Sequence, residues 1–284
     1  MASSPVSDTD MDVVKRRISI HLENEKNHVL DNTYMDKQSE ITCEMRELIT
    51  DWIVNIHSKF RMISPTLALT VNILDRFLSK RDVPKARLAP IACAALFIAG
   101  KYAELFSSPA STLVRITNNS FTCEQLLAME CIILHVIGYH LTVPTSFTFL
   151  PLFCKLAQIH QNTDEPYFTI ACYFQELALQ NYECISFRPS EVAASAVYLA
   201  CMICHTYGGD ASASVKSLKA DEFANLVGYE ENQLKPVLVV MLKVIHLQET
   251  GTSQLTAVRR KYLLSRFGET IQALVCPTPP CMSS

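Results

Sequence analysis

Glycine is scarce in this sequence, with 7 residues among 284. Glycine provides most of the positive-φ positions that tight turns require, so a sequence poor in glycine has few such turns. Because β-sandwiches and β-barrels need a turn after almost every strand, the scarcity favours an all-α fold. The length is sufficient for two domains of ordinary size, each with a core of its own.

The sequence also lacks an excess of basic residues. Lys and Arg together number 25 and Asp and Glu 28, which gives a formal net charge of −3. Proteins that bind nucleic acid or anionic membranes neutralise phosphates with clustered cations. We therefore expect neither a nucleic acid nor a membrane as a direct partner.

No long apolar segment and no secretion signal are evident. The longest charge-free apolar run, Leu88–Gly100, is expected to be a buried core helix that is too short to cross a bilayer. The first residues, MASSPVSDTDMD, are polar and acidic, which predicts an intracellular protein of the nucleus or the cytoplasm. In that setting the 11 cysteines are expected to be reduced thiols packed as small apolar residues, for example Cys93, Cys131, Cys172 and Cys201.

Familiar catalytic motifs are missing: the sequence has no GxxxxGK[ST], no HExxH and no GxSxG. The segment Cys201–His205 reads CxxCH, the pattern of covalent haem attachment. It lies in an apolar helical pattern, however, and no second ligand pair at zinc spacing is present. We expect a non-enzymatic binding protein with no cofactor and no metal. A haem or redox protein is a minor alternative that an absorption spectrum would reveal.

Helical periodicity is strong in the first half of the chain. Apolar residues recur at i, i+3, i+4, i+7, i+8 and i+11, which indicates one face of a helix that we interpret as core-facing: Met45, Leu48, Ile49, Trp52, Ile53 and Ile56. A Ser-Pro start at Ser64 predicts the next helix, and the alanine-rich segment LAPIACAALFIAGKY predicts a central one. Helices over Pro109–Ile116 and Cys123–Ile137 complete a predicted five-helix bundle.

The pattern of this bundle recurs later in the chain. Ala94–Ala99 (AALFIA) aligns with Ser195–Ala200 (SAVYLA), and Glu124–Ile137 aligns with Asn232–Ile245, in both cases at an offset of about a hundred residues. The sequence therefore predicts a duplicated helical unit. The predicted division is an N-terminal tail and helix (1–33), a first lobe (34–143), a second lobe (144–249) and a C-terminal helix and tail (250–284).

Two further helices are predicted outside the lobes. The first covers Asp10–Glu25, and the last covers Gln254–Arg266. The residues expected on one face of the first helix are Val13, Val14, Ile18 and Leu22.

Several motifs in order resemble those of one known family. They are YMDKQSEIT, MRELITDW, LDRFLS, KYAE, Pro144–Thr145 and TAVRRKYLLSRFGE. Together they resemble the cyclin box of mitotic, A- and B-type cyclins over roughly residues 30–270. The resemblance implies two tandem five-helix cyclin-box lobes. It also implies a regulatory subunit that binds and activates a cyclin-dependent Ser/Thr protein kinase. The alternative is a cyclin-fold transcription factor or another non-enzymatic scaffold.

The resemblance implies a kinase-binding site around Lys101 and Glu130. In cyclins the matching pair bonds to main-chain groups of the kinase near its regulatory helix. Apolar contact would come from Ile98, Tyr102, Leu105, Tyr139 and Leu141. Ala103 stands where cyclins usually carry an acidic residue, so one polar contact is expected to be lost. Judged by residue type alone, the pair could equally be a snorkelling lysine and a surface glutamate.

The resemblance further implies a docking groove for Arg-x-Leu peptides of substrates or inhibitors. The matching positions are Met45, Leu48, Ile49, Trp52, Asn55, Leu88 and Ala89. Asn55 replaces the glutamate that receives the peptide arginine, and Ala89 replaces a glutamine. We therefore expect leucine recognition to persist and arginine recognition to weaken, unless Glu47 or Asp51 receives the arginine.

One more pair is implied to be structural. Arg46 and Asp75 match an internal salt bridge that connects the first two helices of the cyclin box.

Overall fold

The computed structural model describes residues 8–157, 159, 166–207, 220–264 and 268, and the regular structure in these ranges is entirely helical. The α-helices are α1 Asp8–Glu25, α2 Cys43–Lys59, α3 Ser64–Leu78, α4 Leu88–Ala103, α5 Ala110–Ile116, α6 Cys123–Val136, α7 Ser146–Leu156, α8 Pro166–Gln180, α9 Pro189–Tyr207, α10 Ala220–Val227, α11 Glu231–Glu249 and α12 Ala257–Leu263. The predicted all-α class is confirmed. The predicted end of the last helix, at Arg266, lies outside the described residues.

Helices α2 to α6 form the first bundle, with α4 at its centre. Helix α4 packs against α2, α3 and α6. Its alanines at Ala92, Ala94, Ala95 and Ala99 are completely buried, and their small side chains let the neighbouring backbones approach closely. The alanine-rich pattern thus correctly predicted the central helix.

Helices α7 to α11 repeat this plan in a second bundle around α9. Helix α9 packs against α7, α8, α10 and α11. It too presents small, fully buried residues, namely Ala193, Ala194, Ser195, Ala196 and Ala200. The predicted pair of tandem five-helix lobes is confirmed.

The two flanking helices each contact the second bundle. Helix α1 packs on α7 through Val14 and Ile18, whereas Val13 is 54% exposed, so its predicted place on the packed face is wrong. The buried Glu25 carboxylate accepts hydrogen bonds from the Ser190 amide at 2.8 Å and the Ser190 hydroxyl at 2.5 Å. Helix α12 packs against α2 and α8 and so connects the end of the second bundle to the first.

The buried face of α2 differs from the predicted one. Ile53 and Ile56 are buried as expected, but Leu48 is 48% exposed, and Met45, Ile49 and Trp52 are only partly buried. The residues that share the interior with Ile53 include Arg46, Thr50 and His57. The apolar stripe of α2 is therefore in large part an outward-facing surface.

Arg46 is the centre of a buried polar network between the bundles. Its side chain is 1% exposed, and its Nε and Nη2 donate to the two Asp75 carboxylate oxygens at 3.0 and 2.8 Å. Its Nη1 donates to the carbonyls of Leu179 and Gln180 at the end of α8. The Tyr34 hydroxyl donates to Asp75 at 2.9 Å. One guanidinium thus connects α2, α3 and α8.

The apolar core helix is longer than expected. With the short 3-10 turn before it, the stretch Lys85–Ala103 is 19 residues of helix, long and apolar enough by length and composition to cross a membrane. The expectation that it is too short is therefore wrong. Its interior residues from Ile91 to Gly100 are buried against neighbouring helices, as in the core helix of a bundle.

The described cysteines divide into buried and accessible groups. Cys93, Cys154, Cys172, Cys184 and Cys201 are buried, and burial raises the pKa of the Cys93, Cys184 and Cys201 thiols to about 12. Cys131 is exposed, which corrects its predicted place in the core. The Cys204 side chain lies outside the described residues.

Arg46→Ala is expected to lower the free energy of unfolding by about 3–5 kcal/mol, because it leaves the buried Asp75 carboxylate without its partner. Arg46→Lys is the matched control. It retains the charge but cannot reproduce the forked geometry, so a smaller loss is expected. Urea unfolding followed by circular dichroism measures both. A loss below about 1 kcal/mol for Arg46→Ala would show that the network is dispensable.

Native alkylation is expected to label Cys131 rapidly and Cys93, Cys154, Cys172, Cys184 and Cys201 only after denaturation, since the thiolate is the reactive form. Peptide mapping by mass spectrometry identifies the labelled sites, and Cys131→Ser serves as the control for the fast site. Labelling of Cys201 as fast as that of Cys131 would contradict the packing described.

Candidate functional site

Lys101 and Glu130 meet on the surface of the first bundle. Lys101 lies in the last turn of α4 and Glu130 in the middle of α6, and the packing of these helices brings the two side chains into an ion pair. The lysine side chain is 41% exposed and the glutamate side chain 10% exposed. The Lys101 ammonium also lies 4.4 Å from the centre of the Phe97 ring, a favourable cation–π contact.

Large exposed apolar side chains follow the C-terminal ends of the two helices that carry this pair. Leu105 is 96% exposed and Tyr139 67% exposed, while the Tyr102 ring is half exposed and its hydroxyl shares a hydrogen bond of 2.6 Å with Thr142. Phe106, which the sequence analysis did not single out, is 94% exposed. Exposed apolar groups gathered in this way are typical of a protein-binding surface. We call Lys101, Tyr102, Leu105, Phe106, Glu130 and Tyr139 the α4–α6 surface.

Two of the predicted apolar residues are less accessible. Ile98 is 2% exposed and lies beneath the surface, and Leu141 is partly buried against the core.

Local backbone features fix the shape of the α4–α6 surface. After α4 ends, the Glu104 carboxylate turns inward and accepts from the Ile63 amide at 2.9 Å and the Thr66 hydroxyl at 2.5 Å. This anchor directs the next residues, Leu105 and Phe106, towards solvent. At the end of α6, Gly138 and Tyr139 both adopt positive φ, 69° and 60°, a turn that terminates the helix and presents the Tyr139 ring.

A second candidate surface is the outward stripe of α2. Met45, Leu48, Ile49 and Trp52 share one side of the helix, which begins after Thr42, whose hydroxyl accepts from the Met45 amide at 3.3 Å. We call these four residues the α2 strip. Ala89 is partly exposed, and Leu88, at 6% exposure, belongs to the core, so it is not an exposed lining residue of a groove.

Asn55 lies one helical turn beyond Trp52, at the end of the α2 strip. Its Nδ2 donates to the Asp51 carbonyl at 3.0 Å, and its Oδ1 accepts from the Arg260 guanidinium of α12. Asn55 is thus already engaged by an arginine of the same chain. No periodicity or motif in the sequence indicated this contact.

The two acids proposed as alternative arginine acceptors have partners inside the protein. The Glu47 carboxylate accepts from the Tyr182 amide at 2.9 Å. The Asp51 carboxylate accepts from the Gln180 side chain at 2.9 Å and the Ala257 amide at 2.8 Å. Both therefore serve to hold the second bundle and α12 against α2.

The residues that the structure describes contain no cluster of three His, Cys, Asp or Glu side chains suited to a metal ion. In the CxxCH segment, Cys201 is 1% exposed, while the side chains of Cys204 and His205 lie outside the described residues.

Comparison with known proteins identifies the architecture. The family model described as "Cyclin, N-terminal domain" matches residues 16–142, and "Cyclin, C-terminal domain" matches residues 144–277. A solved structure, a viral cyclin from herpesvirus saimiri, superposes with a TM-score of 0.65 over 82% of this chain and 97% of that chain. The identity to the viral protein is 18%, so the likeness shows the fold alone.

Curated relatives are closer in sequence. Cyclin-B1-3 of Arabidopsis thaliana is 37% identical over 88% of this chain and 56% of the relative. G2/mitotic-specific cyclin-2 of Medicago sativa is 35% identical over 84% of this chain and 68% of the relative. The chain thus spans little more than half the length of the Arabidopsis protein. With both family models matched in order along most of its length, this chain belongs to the cyclin family and has B-type, G2/mitotic cyclins among its relatives.

Proposed function

We propose that this chain is the regulatory subunit of a cyclin-dependent Ser/Thr protein kinase and controls cell-cycle progression of the mitotic or S-phase type. The observation that supports it most is the α4–α6 surface, where the Lys101–Glu130 pair lies among exposed apolar side chains. The subunit carries out no chemistry of its own. Its site of action is the nucleus or the cytoplasm, where such a kinase acts.

The α4–α6 surface offers both kinds of contact that a kinase helix requires. Lys101 can donate to main-chain carbonyls, and Glu130 can accept from main-chain amides. Leu105, Phe106 and Tyr139 supply aromatic and aliphatic area whose burial drives association. Charged groups at the centre orient the partner, and apolar groups around them exclude water.

Activation follows if this surface prefers the active form of the kinase. A partner shifts a two-state equilibrium only by its difference in affinity for the two states. By holding the regulatory αC helix inward, the subunit would favour the kinase's own Lys–Glu ion pair and help to order the activation loop.

The loss of one polar contact at Ala103 is not compensated by the neighbouring acid. Glu104 is occupied by Ile63 and Thr66, so it cannot replace the acidic residue usual in cyclins. Kinase binding would therefore depend more heavily on Lys101, Glu130 and the apolar residues.

We further propose that the α2 strip docks apolar residues of substrates or inhibitors. Leu48 is 48% exposed and Met45, Ile49 and Trp52 are partly exposed, and all four lie on α2 rather than on the helices of the α4–α6 surface. The alternative function, a nucleic-acid-binding transcription factor of the same fold, is not supported by the formal net charge of −3.

Lys101→Ala combined with Glu130→Ala is expected to weaken kinase binding by at least about 30-fold, since central interface residues commonly contribute about 2 kcal/mol or more. Helicity and melting temperature should change little, because both partners are removed together and no unpaired charge is left buried. Affinity is measured by titration of a purified cyclin-dependent kinase, and activation by a histone phosphorylation assay.

The matched control is Lys85→Ala with Glu124→Ala, which removes the same two charges from exposed positions outside the α4–α6 surface. This control should bind and activate as the unaltered chain does. If the Lys101/Glu130 variant also activates the kinase at the concentration that the unaltered chain requires, the proposed function is wrong. If it fails to fold, the pair is structural.

A further inference from the structure

The end of the α2 strip carries positive charge. Arg260 of α12 reaches Asn55, and Lys59 lies one helical turn beyond Asn55. Both cations are exposed, and among the residues that the structure describes neither forms an ion pair with a carboxylate. An apolar strip therefore leads directly into a cationic site.

One Asp51 carboxylate oxygen lies 3.4 Å from the Asn55 Nδ2, but among the described residues no acid forms an ion pair with Arg260 or Lys59. Asp51 and Glu47 accept hydrogen bonds from groups of the second bundle and α12. Glu176 is buried and pairs with Lys261, the residue next to Arg260. The carboxylates of this region are thus engaged in holding the helices together, while Arg260 and Lys59 face solvent.

The position of Arg260 is fixed by its helix. The Ala257 amide at the start of α12 donates to Asp51, and the Lys261 ammonium donates to both Glu176 oxygens at 2.6 and 2.7 Å. Tyr262 is buried, 6% exposed. These contacts hold both ends of α12 on the protein and so place Arg260 within reach of Asn55.

We propose that the α2 strip selects peptides that place an acidic side chain, rather than an arginine, opposite Asn55 and Arg260. This inference rests on the proposed docking function. A peptide carboxylate would gain charge-assisted hydrogen bonds from the Arg260 guanidinium, whose fork matches a carboxylate. A peptide arginine would find a neutral acceptor already occupied and a like charge beside it, which disfavours binding. Arg260 is thus a specificity-determining residue, and the preferred docking sequence is Glu-x-Leu.

The proposal is tested with three peptides that differ only at the first position: Glu-x-Leu, Gln-x-Leu and Arg-x-Leu. Fluorescence anisotropy measures the affinity of each peptide for the full chain. We expect affinity in the order Glu, Gln, Arg, with at least about a fivefold difference between Glu and Arg in low salt. The difference should shrink as salt rises, because the site is exposed and its charges are screened.

Arg260→Gln is expected to remove the preference for the acidic peptide without weakening the Gln-x-Leu peptide. Arg260→Glu should reverse the order. Arg259→Ala is the matched control, since this neighbouring arginine faces Glu249 instead, and it should leave the preference unchanged. Asn55→Glu should move the preference towards the Arg-x-Leu peptide.

The outcomes separate this inference from the functions proposed above. A preference of the unaltered chain for Arg-x-Leu, or equal affinity for all three peptides, would overturn the acidic selectivity but keep docking. If none of the peptides binds, or if Trp52→Ala leaves their binding intact, docking at the α2 strip itself is wrong. Kinase activation, measured in parallel, reports on the α4–α6 surface alone.

Discussion

The relative placement of the two bundles depends on one buried guanidinium. Arg46 donates hydrogen bonds from two of its nitrogens to Asp75 and from the third to two carbonyls at the end of α8. One side chain therefore satisfies acceptors of both bundles. A buried charge is tolerated only when paired and hydrogen-bonded in this way. The Glu47 and Asp51 carboxylates of α2 add further hydrogen bonds to the second bundle and to α12.

Both candidate surfaces follow from this arrangement. Because Arg46 and Thr50 occupy the interior side of α2, the apolar stripe of that helix is turned outward. Because the second bundle is held against α2, helix α12 can return to the first bundle and place Arg260 beside Asn55. The α4–α6 surface lies within the first bundle and needs only the packing of α4 on α6.

The sequence was most informative where structure is local. The alanine-rich pattern located α4, whereas the pairing of Lys101 with Glu130 was implied by the resemblance to cyclins and not by the residues alone. Periodicity did not predict which face of α2 is buried, because an apolar stripe has the same spacing whether it faces the core or a partner. The contact between Arg260 and Asn55 joins residues 205 positions apart, and no local signal reports such a pairing. Phe106 was missed because its exposure depends on the inward anchor of Glu104.

Amide hydrogen exchange of the chain, with and without a purified cyclin-dependent kinase, shows whether the kinase binds at the α4–α6 surface. We expect kinase binding to protect amides of residues 98–106 and 130–141, the segments that carry the α4–α6 surface. Amides of α10 and α11, in the second bundle, should exchange at unchanged rates. Complex formation that protects α11 while residues 98–106 exchange as before would contradict it.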